Sequence, residues 1–313
     1  MSSIKAQAIV HEIVWKQPCL INIKKLCSAN NIDLEPIFID GPDINNSARR
    51  QADISSQCKN AIVWGLHFLP YGFFKQNNNN ILFLENSVLK RNRQLYVDSE
   101  GFGNESSYVF TGQNKEQISS DERKYIHQIL DEENIPFFHG GNPDGPILVT
   151  LQSSYSDLIV LDACSLIIPT ELPLLIRLHP VEKMQHCQEK LQKLLSERKN
   201  CSLETNIKNS NIVEKLKTVS CHVTYNSAAA FFSLSMGIKT ATLGRGLFSG
   251  AFATLECDKN PFLIKSLSSF KNDPTTVENL LFCIHKREIP ITSNYDIIFE
   301  NISIQNWIRR MQK

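Results

Sequence analysis

The chain has 313 residues, of which 42% are hydrophobic and 21% charged, and its net charge is +1 at pH 7. That length is right for two domains of ordinary size, and the near-neutral charge gives no electrostatic reason to expect a nucleic-acid partner. The apolar runs fall far short of the ~20 residues that span a bilayer, and the first residues lack a signal-peptide pattern, so a cytoplasmic location is expected. The nine cysteines include no CxxC pair and predict reduced core thiols.

The first part of the chain alternates predicted strands with helical or polar segments. Helical spacing of apolar residues marks Pro18 to Asn30. Predicted strands cover Ala6 to Val14, Leu34 to Ile39, Ala61 to Gly65 and Ile81 to Leu84. This alternation predicts an α/β fold with a parallel sheet.

A polar, glycine-bearing stretch follows the last of these strands. Glu85 is our candidate for acid–base chemistry, because a carboxylate just past a strand's carboxyl end is well placed for proton transfer. An ordinary capping glutamate is the alternative. We expect Asp98, Glu100 and Glu105 to be solvated or capping residues. Closure of their loop over a ligand is the alternative.

A charged amphipathic helix is predicted from Lys115 to Asn134, and the segment after it, Ile135 to Pro146, has the composition of a linker. Proline, glycine, Asn and Asp are concentrated there, so we place the domain boundary in it. The resulting domains are residues 1–140 and 146–290. A final helix within residues 291–313 is expected to cross back to the N-terminal domain.

After the linker the α/β pattern restarts with a strand from Ile147 to Leu151. A polar turn from Gln152 to Asp157 leads into an apolar helix. Asp157 stands at the start of that helix, where a carboxylate stabilises the helix dipole when no other role applies.

The next strand, Leu174 to Leu178, contains Arg177 and places His179 at its carboxyl edge. Pro180 then suits the first turn of a helix that runs from Val181 to Arg198. Ligands of open α/β sheets bind at this edge, so a histidine between an arginine and a helix start is a candidate phosphate donor. A structural or surface histidine is the alternative.

A second corner of the same kind runs from Ser220 to Gly244 and reads as strand, turn, helix and strand. Asn226 and Ser227 have capping character, and a helix that starts at Ser227 would direct backbone N–H groups at a phosphate. An ordinary capped βαβ unit is the alternative reading. Two such corners in one domain favour a phosphate-bearing ligand.

Three more helices are predicted near the end of the chain, at Phe262 to Phe270, Thr276 to His285 and Ile302 to Gln312. The last carries Trp307 and a basic tail. Contact of this tail with an anionic bilayer and packing against the first domain are both compatible with its composition, and packing is favoured.

Four short patches carry a resemblance to a known family. They are the Glu85-Asn86 opening with its GFG segment, LVTLQSSYSD from Leu148 to Asp157, RLHPVE from Arg177 to Glu182, and TYNSAAAF from Thr224 to Phe231. In this order they resemble the retaining β-Kdo transferases of bacterial capsule, lipopolysaccharide and O-antigen synthesis. That family implies a GT-B fold, with two Rossmann-like domains whose parallel sheets face a central cleft.

The resemblance also implies roles for residues. The residues implied to contact the sugar donor are Arg177, His179, Pro180, Asn226, Ser227 and Ala228. The residues implied to contact the substrate are Asn86, Gln152 and Glu182. Asp157 is implied as the nucleophile and Glu85 as the general acid and base. The chain departs from the family pattern in having Asn-Ser-Ala where the family has Asn-Ser-Thr, and in placing its acid five residues after the glutamine instead of four.

The implied reaction moves Kdo from CMP-Kdo to a saccharide or lipid-linked saccharide acceptor. No metal and no cofactor are expected, because the sequence has no DxD-like pair and no histidine cluster. The enzyme would work in the cytoplasm, including the inner face of the inner membrane, with at most peripheral membrane contact. Two alternatives remain open: a CMP-sialic acid-dependent sialyltransferase, and a non-catalytic assembly partner with a GT-B shell.

Overall fold

The computed structural model describes residues 3–38, 59–65, 80–88, 90, 93–100, 118–152, 156–179, 187–204, 207 and 210–313. The chain divides into two compact units. The first holds residues 1–109 and 283–313, and the second holds residues 110–282. This division groups residues 110–140 with the second unit, and the domain limits at 140, 146 and 290 remain predictions.

Strands and helices alternate in both units, as predicted from the hydrophobic pattern. In chain order the described strands are β1 Ile4–Val10, β2 Ile32–Phe38, β3 Asn60–Trp64, β4 Asn80–Asn86, β5 Gln94–Asp98, β6 Ile147–Thr150, β7 Leu174–Arg177, β8 Cys201–Glu204, β9 Cys221–Thr224, β10 Lys239–Thr242, β11 Leu255–Glu256 and β12 Glu288–Pro290. The described helices are α1 Glu12–Trp15, α2 Pro18–Ala29, α3 Ser120–Glu132, α4 Ser156–Leu166, α5 Gln188–Glu197, α6 Ile212–Leu216, α7 Ala229–Ser235, α8 Pro274–His285, α9 Tyr295–Glu300 and α10 Ile302–Met311. A 3₁₀ helix spans Pro261–Ser269.

The sheet of the first unit has the strand order β12-β5-β4-β3-β1-β2. Its strands β1 to β4 are parallel, as the alternation predicts. Strand β5 adds to β4 in antiparallel orientation, and β12 pairs antiparallel with β5, so that β12 runs in the same direction as β1 to β4. Neither β5 nor β12 was predicted, because each is short and belongs to a stretch rich in polar residues.

Helix α10 packs on β4 within the first unit. Trp307 is fully buried; its Nε1 donates to the Asn80 carbonyl at 3.2 Å, and the Asn80 side-chain amide donates to the Trp307 carbonyl at 2.9 Å. This indole is therefore part of the core of the first unit. Among the described residues, no helix combines the length and apolar character needed to span a bilayer.

Asp98 corrects one prediction for the polar stretch after β4. It is the last residue of β5 and is fully buried; its Oδ2 accepts the Tyr96 hydroxyl at 2.9 Å and lies 3.3 Å from Arg287 Nε. The prediction of a solvated residue was wrong for Asp98, because a guanidinium from far along the chain neutralises it in the interior. The capping alternative fits, since Asp98 Oδ1 accepts the Glu100 backbone N–H at 2.7 Å. Glu100 is exposed, as expected, and Glu105 lies outside the described residues.

The sheet of the second unit is entirely parallel, with the strand order β11-β10-β9-β6-β7-β8. Val149, Ile176 and Val223 on its central strands have no exposed surface. Both faces of a parallel sheet are usually covered by helices, which is why its strands read as continuous apolar runs. This sheet carries most of the residues that the sequence singled out.

Candidate functional site

All six strands of the second sheet end on polar or charged residues that lie side by side. Across the sheet the register places in one row Glu204, Arg177, Thr150, Thr224, Thr242 and Glu256. This row marks the carboxyl edge of the parallel sheet, the edge at which α/β proteins bind ligands. The loops that leave these strands are therefore the candidate site.

Gln152 joins the loops that follow two neighbouring strands, β6 and β9. Its side-chain Oε1 accepts the Asn226 backbone N–H at 3.1 Å, and its own backbone N–H donates to Asp157 Oδ1 at 2.7 Å. The structure thus brings together three of the predicted residues in one hydrogen-bonded chain. A side-chain amide is suited to this link, since its oxygen accepts while its NH₂ remains a donor.

The corner after β9 is held by local hydrogen bonds around Ser227. The Ser227 backbone N–H donates to Thr224 Oγ1 at 3.4 Å, and its hydroxyl oxygen accepts the Ala229 N–H at 3.2 Å. The helix therefore begins at Ala229, with Ala228 as its N-cap residue, two residues later than predicted. Among the described residues, Asn226 donates through Nδ2 to the Arg245 carbonyl at 3.0 Å, while its buried Oδ1 has no hydrogen-bond partner.

Gly244 lies two residues past the end of β10 and was not identified from the sequence as a site residue. A Cβ at this position would lie 2.3 Å from Tyr225 Cε1, so any other residue would displace the tyrosine ring. The Gly244 N–H also donates to the Tyr225 carbonyl at 2.8 Å. This glycine therefore fixes the corner that carries Asn226.

Arg177 is paired inside the second unit. Its NH1 donates to Glu204 Oε2 at 2.8 Å and to the Ser210 hydroxyl at 3.0 Å, and its NH2 donates to the Ser210 carbonyl at 2.8 Å. Only 8% of the Arg177 side chain and 7% of the Glu204 side chain are exposed, so this is a buried ion pair. The charge of Arg177 has a structural partner, and its contact with a donor phosphate remains a prediction.

His179 is half-buried and lies two residues beyond β7. Its backbone position on the carboxyl edge is the one that the sequence indicated. Pro180 and Glu182, two further predicted residues, lie outside the described residues. Of the helix predicted to follow them, the described part is Gln188–Glu197.

Asp157 is fully buried in the first turn of α4. Its hydrogen bond goes to the N–H of Gln152, which precedes α4, and Gln152 in turn links Asp157 to the corner that carries Asn226. This geometry is compatible with both roles considered for Asp157, which are nucleophile and helix-stabilising carboxylate.

The other candidate carboxylate, Glu85, belongs to the first unit, together with Asn86. Both are half-buried at the end of β4, and Glu85 Oε1 accepts the Asn86 N–H at 2.8 Å. In the antiparallel register Glu85 lies opposite Tyr96. The two candidate catalytic carboxylates are therefore supplied by different units.

A buried polar network lies directly below the candidate site, and the sequence pattern did not reveal it. His222 has no exposed surface; its Nδ1 lies 2.8 Å from Ser233 Oγ, and its Nε2 lies 2.9 Å from Thr150 Oγ1. Because the Ser233 hydroxyl donates to the Ala230 carbonyl at 2.9 Å, its oxygen must accept from His222 Nδ1–H. His222 Nε2 then accepts the Thr150 hydroxyl, which fixes one neutral tautomer.

We expect His222 to make the protein less stable in mild acid. Burial lowers the pKa of His222 to about 3, from 6.5 for an exposed histidine. Below about pH 6.5 the unfolded chain therefore binds a proton at this histidine, whereas the folded protein does not until the pH nears 3. The free energy of unfolding falls as the pH drops from about 6.5 toward 3. Between pH 7 and pH 5 this group alone should remove about 2 kcal/mol from the free energy of unfolding.

Urea unfolding at the two pH values, for the parent protein and for His222→Asn, measures this loss. The variant should lack the part of the pH dependence that belongs to His222, and the control His139→Ala, at an exposed histidine, should keep it. Equal pH dependence in the parent and His222→Asn proteins would contradict the assignment.

Glu256 is a second carboxylate that the sequence did not single out. It ends β11, and its Oε1 accepts the Gly250 N–H at 2.6 Å. Burial raises its pKa, and the hydrogen bond from Gly250 opposes that shift.

Within the part of the chain that the structure describes, no three His, Cys, Asp or Glu side chains group as metal ligands.

No protein-family model matches this chain, and no curated protein matches it. The solved structures that align with it along almost their full length include two parts of one bacterial protein. Thermosulfurimonas dismutans KpsC, the beta Kdo 2,7 transferase, is 14% identical with a TM-score of 0.54, and the alignment covers 98% of both chains. The beta Kdo 2,4 transferase of the same KpsC is 12% identical with a TM-score of 0.50, covering 98% of this chain and 99% of the other. At such identities the likeness shows the fold alone, and that fold is GT-B.

Proposed function

We propose that this protein is a glycosyltransferase that moves Kdo from CMP-Kdo to a saccharide acceptor of a bacterial surface glycan. Three observations support this proposal: the four sequence patches in their order, the fold that the chain shares with KpsC, and the hydrogen-bonded loops at the carboxyl edge of the second sheet. The observation that carries most weight is the hydrogen-bonded chain from Asp157 through Gln152 to Asn226. It unites residues from two separate patches that the sequence alone places far apart.

The donor corner that we propose lies at the loops after β7 and β9. The loop after β9 supplies the backbone from Asn226 to Ala228, and the loop after β7 supplies His179. A single phosphate diester needs few positive charges, and backbone N–H groups together with a histidine are suited to it. Arg177 acts mainly by holding β7 against β8, because its charge is paired with Glu204.

The reaction that we propose has two displacements. Asp157 attacks the anomeric carbon of Kdo, the bond from that carbon to the CMP phosphate oxygen breaks, and CMP leaves with the bonding electrons. An acceptor hydroxyl then attacks the same carbon, giving its proton to Glu85 and releasing the Asp157 carboxylate. Two inversions give overall retention.

His179→Ala is expected to weaken CMP binding about tenfold or more. The imidazole would donate a charge-assisted hydrogen bond to the phosphate, and such bonds contribute about 1.5–3 kcal/mol. Calorimetric titration with CMP measures the change. The matched control is His139→Ala, an exposed histidine of the second unit outside the candidate site.

If folded His179→Ala binds CMP as tightly as the parent protein, the donor corner does not lie beside β7. If both histidine variants bind equally weakly, the effect is general and the assignment of His179 fails.

A further inference from the structure

A cavity of about 420 Å³ lies in the second unit, apart from the candidate site. Ile147, Cys221 and Lys239 line it, and each is the first residue of a parallel strand: β6, β9 and β10 respectively. The cavity is therefore at the amino edge of the sheet, whereas the candidate site is at the carboxyl edge. Its volume lies within the range of about 300–1,000 Å³ that small-molecule sites occupy.

The lining of this cavity is mainly apolar. The apolar residues that line it include Ile168, Leu172, Ile238, Ile264 and Leu267. Burial of a flexible hydrocarbon chain against such a surface is favourable by about 25 cal/mol for each Å² of apolar area removed from water.

Two lysines give the same cavity a positive charge. Lys239 and Lys265 both line it, and the described lining residues include no aspartate or glutamate. The Lys239 ammonium donates to the Ser268 carbonyl, and Lys265 Nζ lies 5.6 Å from the centre of the Phe262 ring. Neither contact neutralises the charge.

Cys221 lies beside Lys239 in the sheet, because the two residues are register partners on the neighbouring parallel strands β9 and β10. Burial raises the pKa of the Cys221 thiol, and the Lys239 ammonium opposes that shift. Side chains at paired positions of neighbouring strands lie on the same face of a sheet, so the Lys239 and Cys221 side chains leave the sheet side by side.

One wall of the cavity is formed by the 3₁₀ helix Pro261–Ser269, which contributes Ile264, Lys265, Leu267 and Ser268. Runs of 3₁₀ helix longer than three or four residues are uncommon, because their hydrogen-bond geometry is poorer than that of an α-helix. This nine-residue wall is therefore less tightly constrained than an α-helical one.

We propose that this cavity is a binding site for an amphipathic anion, namely an unbranched hydrocarbon chain that ends in a carboxylate. The chain lies against the apolar lining, and the carboxylate pairs with Lys239 and Lys265. The site is distinct from the donor corner, and its existence does not depend on the proposed transferase activity.

The test is calorimetric titration of the full-length protein with sodium decanoate, below the concentration at which decanoate forms micelles. We expect saturable binding of one decanoate per chain. Lys239→Met together with Lys265→Met should weaken this binding at least tenfold, because it removes both ammonium groups and keeps apolar stems. The control Lys193→Met, on the exposed face of α5, should bind like the parent protein.

Two further experiments distinguish binding at this site from general binding of detergents to the protein. Decyltrimethylammonium has a chain of the same length with the opposite charge and should not bind in a saturable way. Ser220→Phe fills the cavity from one side and should abolish decanoate binding. Equal binding of the two amphiphiles, the absence of saturable decanoate binding, or unchanged decanoate affinity in the folded double lysine variant would each overturn the proposal.

Discussion

Asp157→Asn is expected to lower turnover about a thousandfold or more while leaving the fold and the affinity for CMP unchanged. An asparagine keeps the shape of the aspartate, and its Oδ1 still accepts the Gln152 N–H that Asp157 accepts at 2.7 Å. The amide cannot form the ester with the sugar that the proposed reaction requires. The substitution therefore removes the chemistry and spares the structural contact.

Thermal unfolding, calorimetry with CMP and turnover of CMP-Kdo are the three measurements. Asp162→Asn is the matched control, because Asp162 lies on the same helix and its half-exposed carboxylate bonds Lys190 at 2.6 Å. If Asp157→Asn keeps near-parental turnover, Asp157 is a helix-stabilising residue and the nucleophile lies elsewhere. Asp157→Ala, which removes the hydrogen bond as well, should in addition lower the unfolding temperature.

Arg177→Met is expected to lower the free energy of unfolding by about 3–5 kcal/mol. The substitution leaves the buried Glu204 carboxylate without its closest cation, since the other cation near it, Lys215 Nζ, is 3.8 Å away. A buried charge that has lost its closest partner is costly, because the protein interior solvates it poorly. Urea denaturation measures the loss.

The double variant Arg177→Met with Glu204→Leu separates the pair from the packing around it. Replacing both charged partners by apolar side chains should recover most of the lost stability. A fully stable Arg177→Met protein with strongly weakened CMP binding would show that Arg177 serves the donor phosphate and does not act mainly through its ion pair with Glu204.

Much of the fold could be predicted from the sequence, because it depends on local patterns. The helix Pro18–Ala29 and the strand Ile147–Thr150 follow from apolar spacing and from the proline and glycine residues around them. The strand Gln94–Asp98 could not be predicted in the same way. Its last residue, Asp98, is buried next to Arg287, which supplies a compensating charge from a distant part of the chain.

The same distinction applies to the candidate site. That Gln152 and Asn226 stand just beyond strand ends could be predicted from each strand separately. Their hydrogen bond requires β6 and β9 to be neighbours, and that strand order is a property of the whole sheet. The pairing of Arg177 with Glu204 and the fit of Tyr225 against Gly244 are likewise contacts between residues that no local pattern links.

Release of CMP from purified protein, incubated in parallel with CMP-Kdo and CMP-sialic acid, tests the proposed function most directly. We predict CMP release from CMP-Kdo that is stimulated by a saccharide acceptor, insensitive to EDTA and abolished by Asp157→Asn, with no release from CMP-sialic acid. Turnover of CMP-sialic acid alone would identify a sialyltransferase. Absence of turnover with both donors, in protein that is folded and binds CMP, would contradict the assignment as a transferase and leave a non-catalytic GT-B protein.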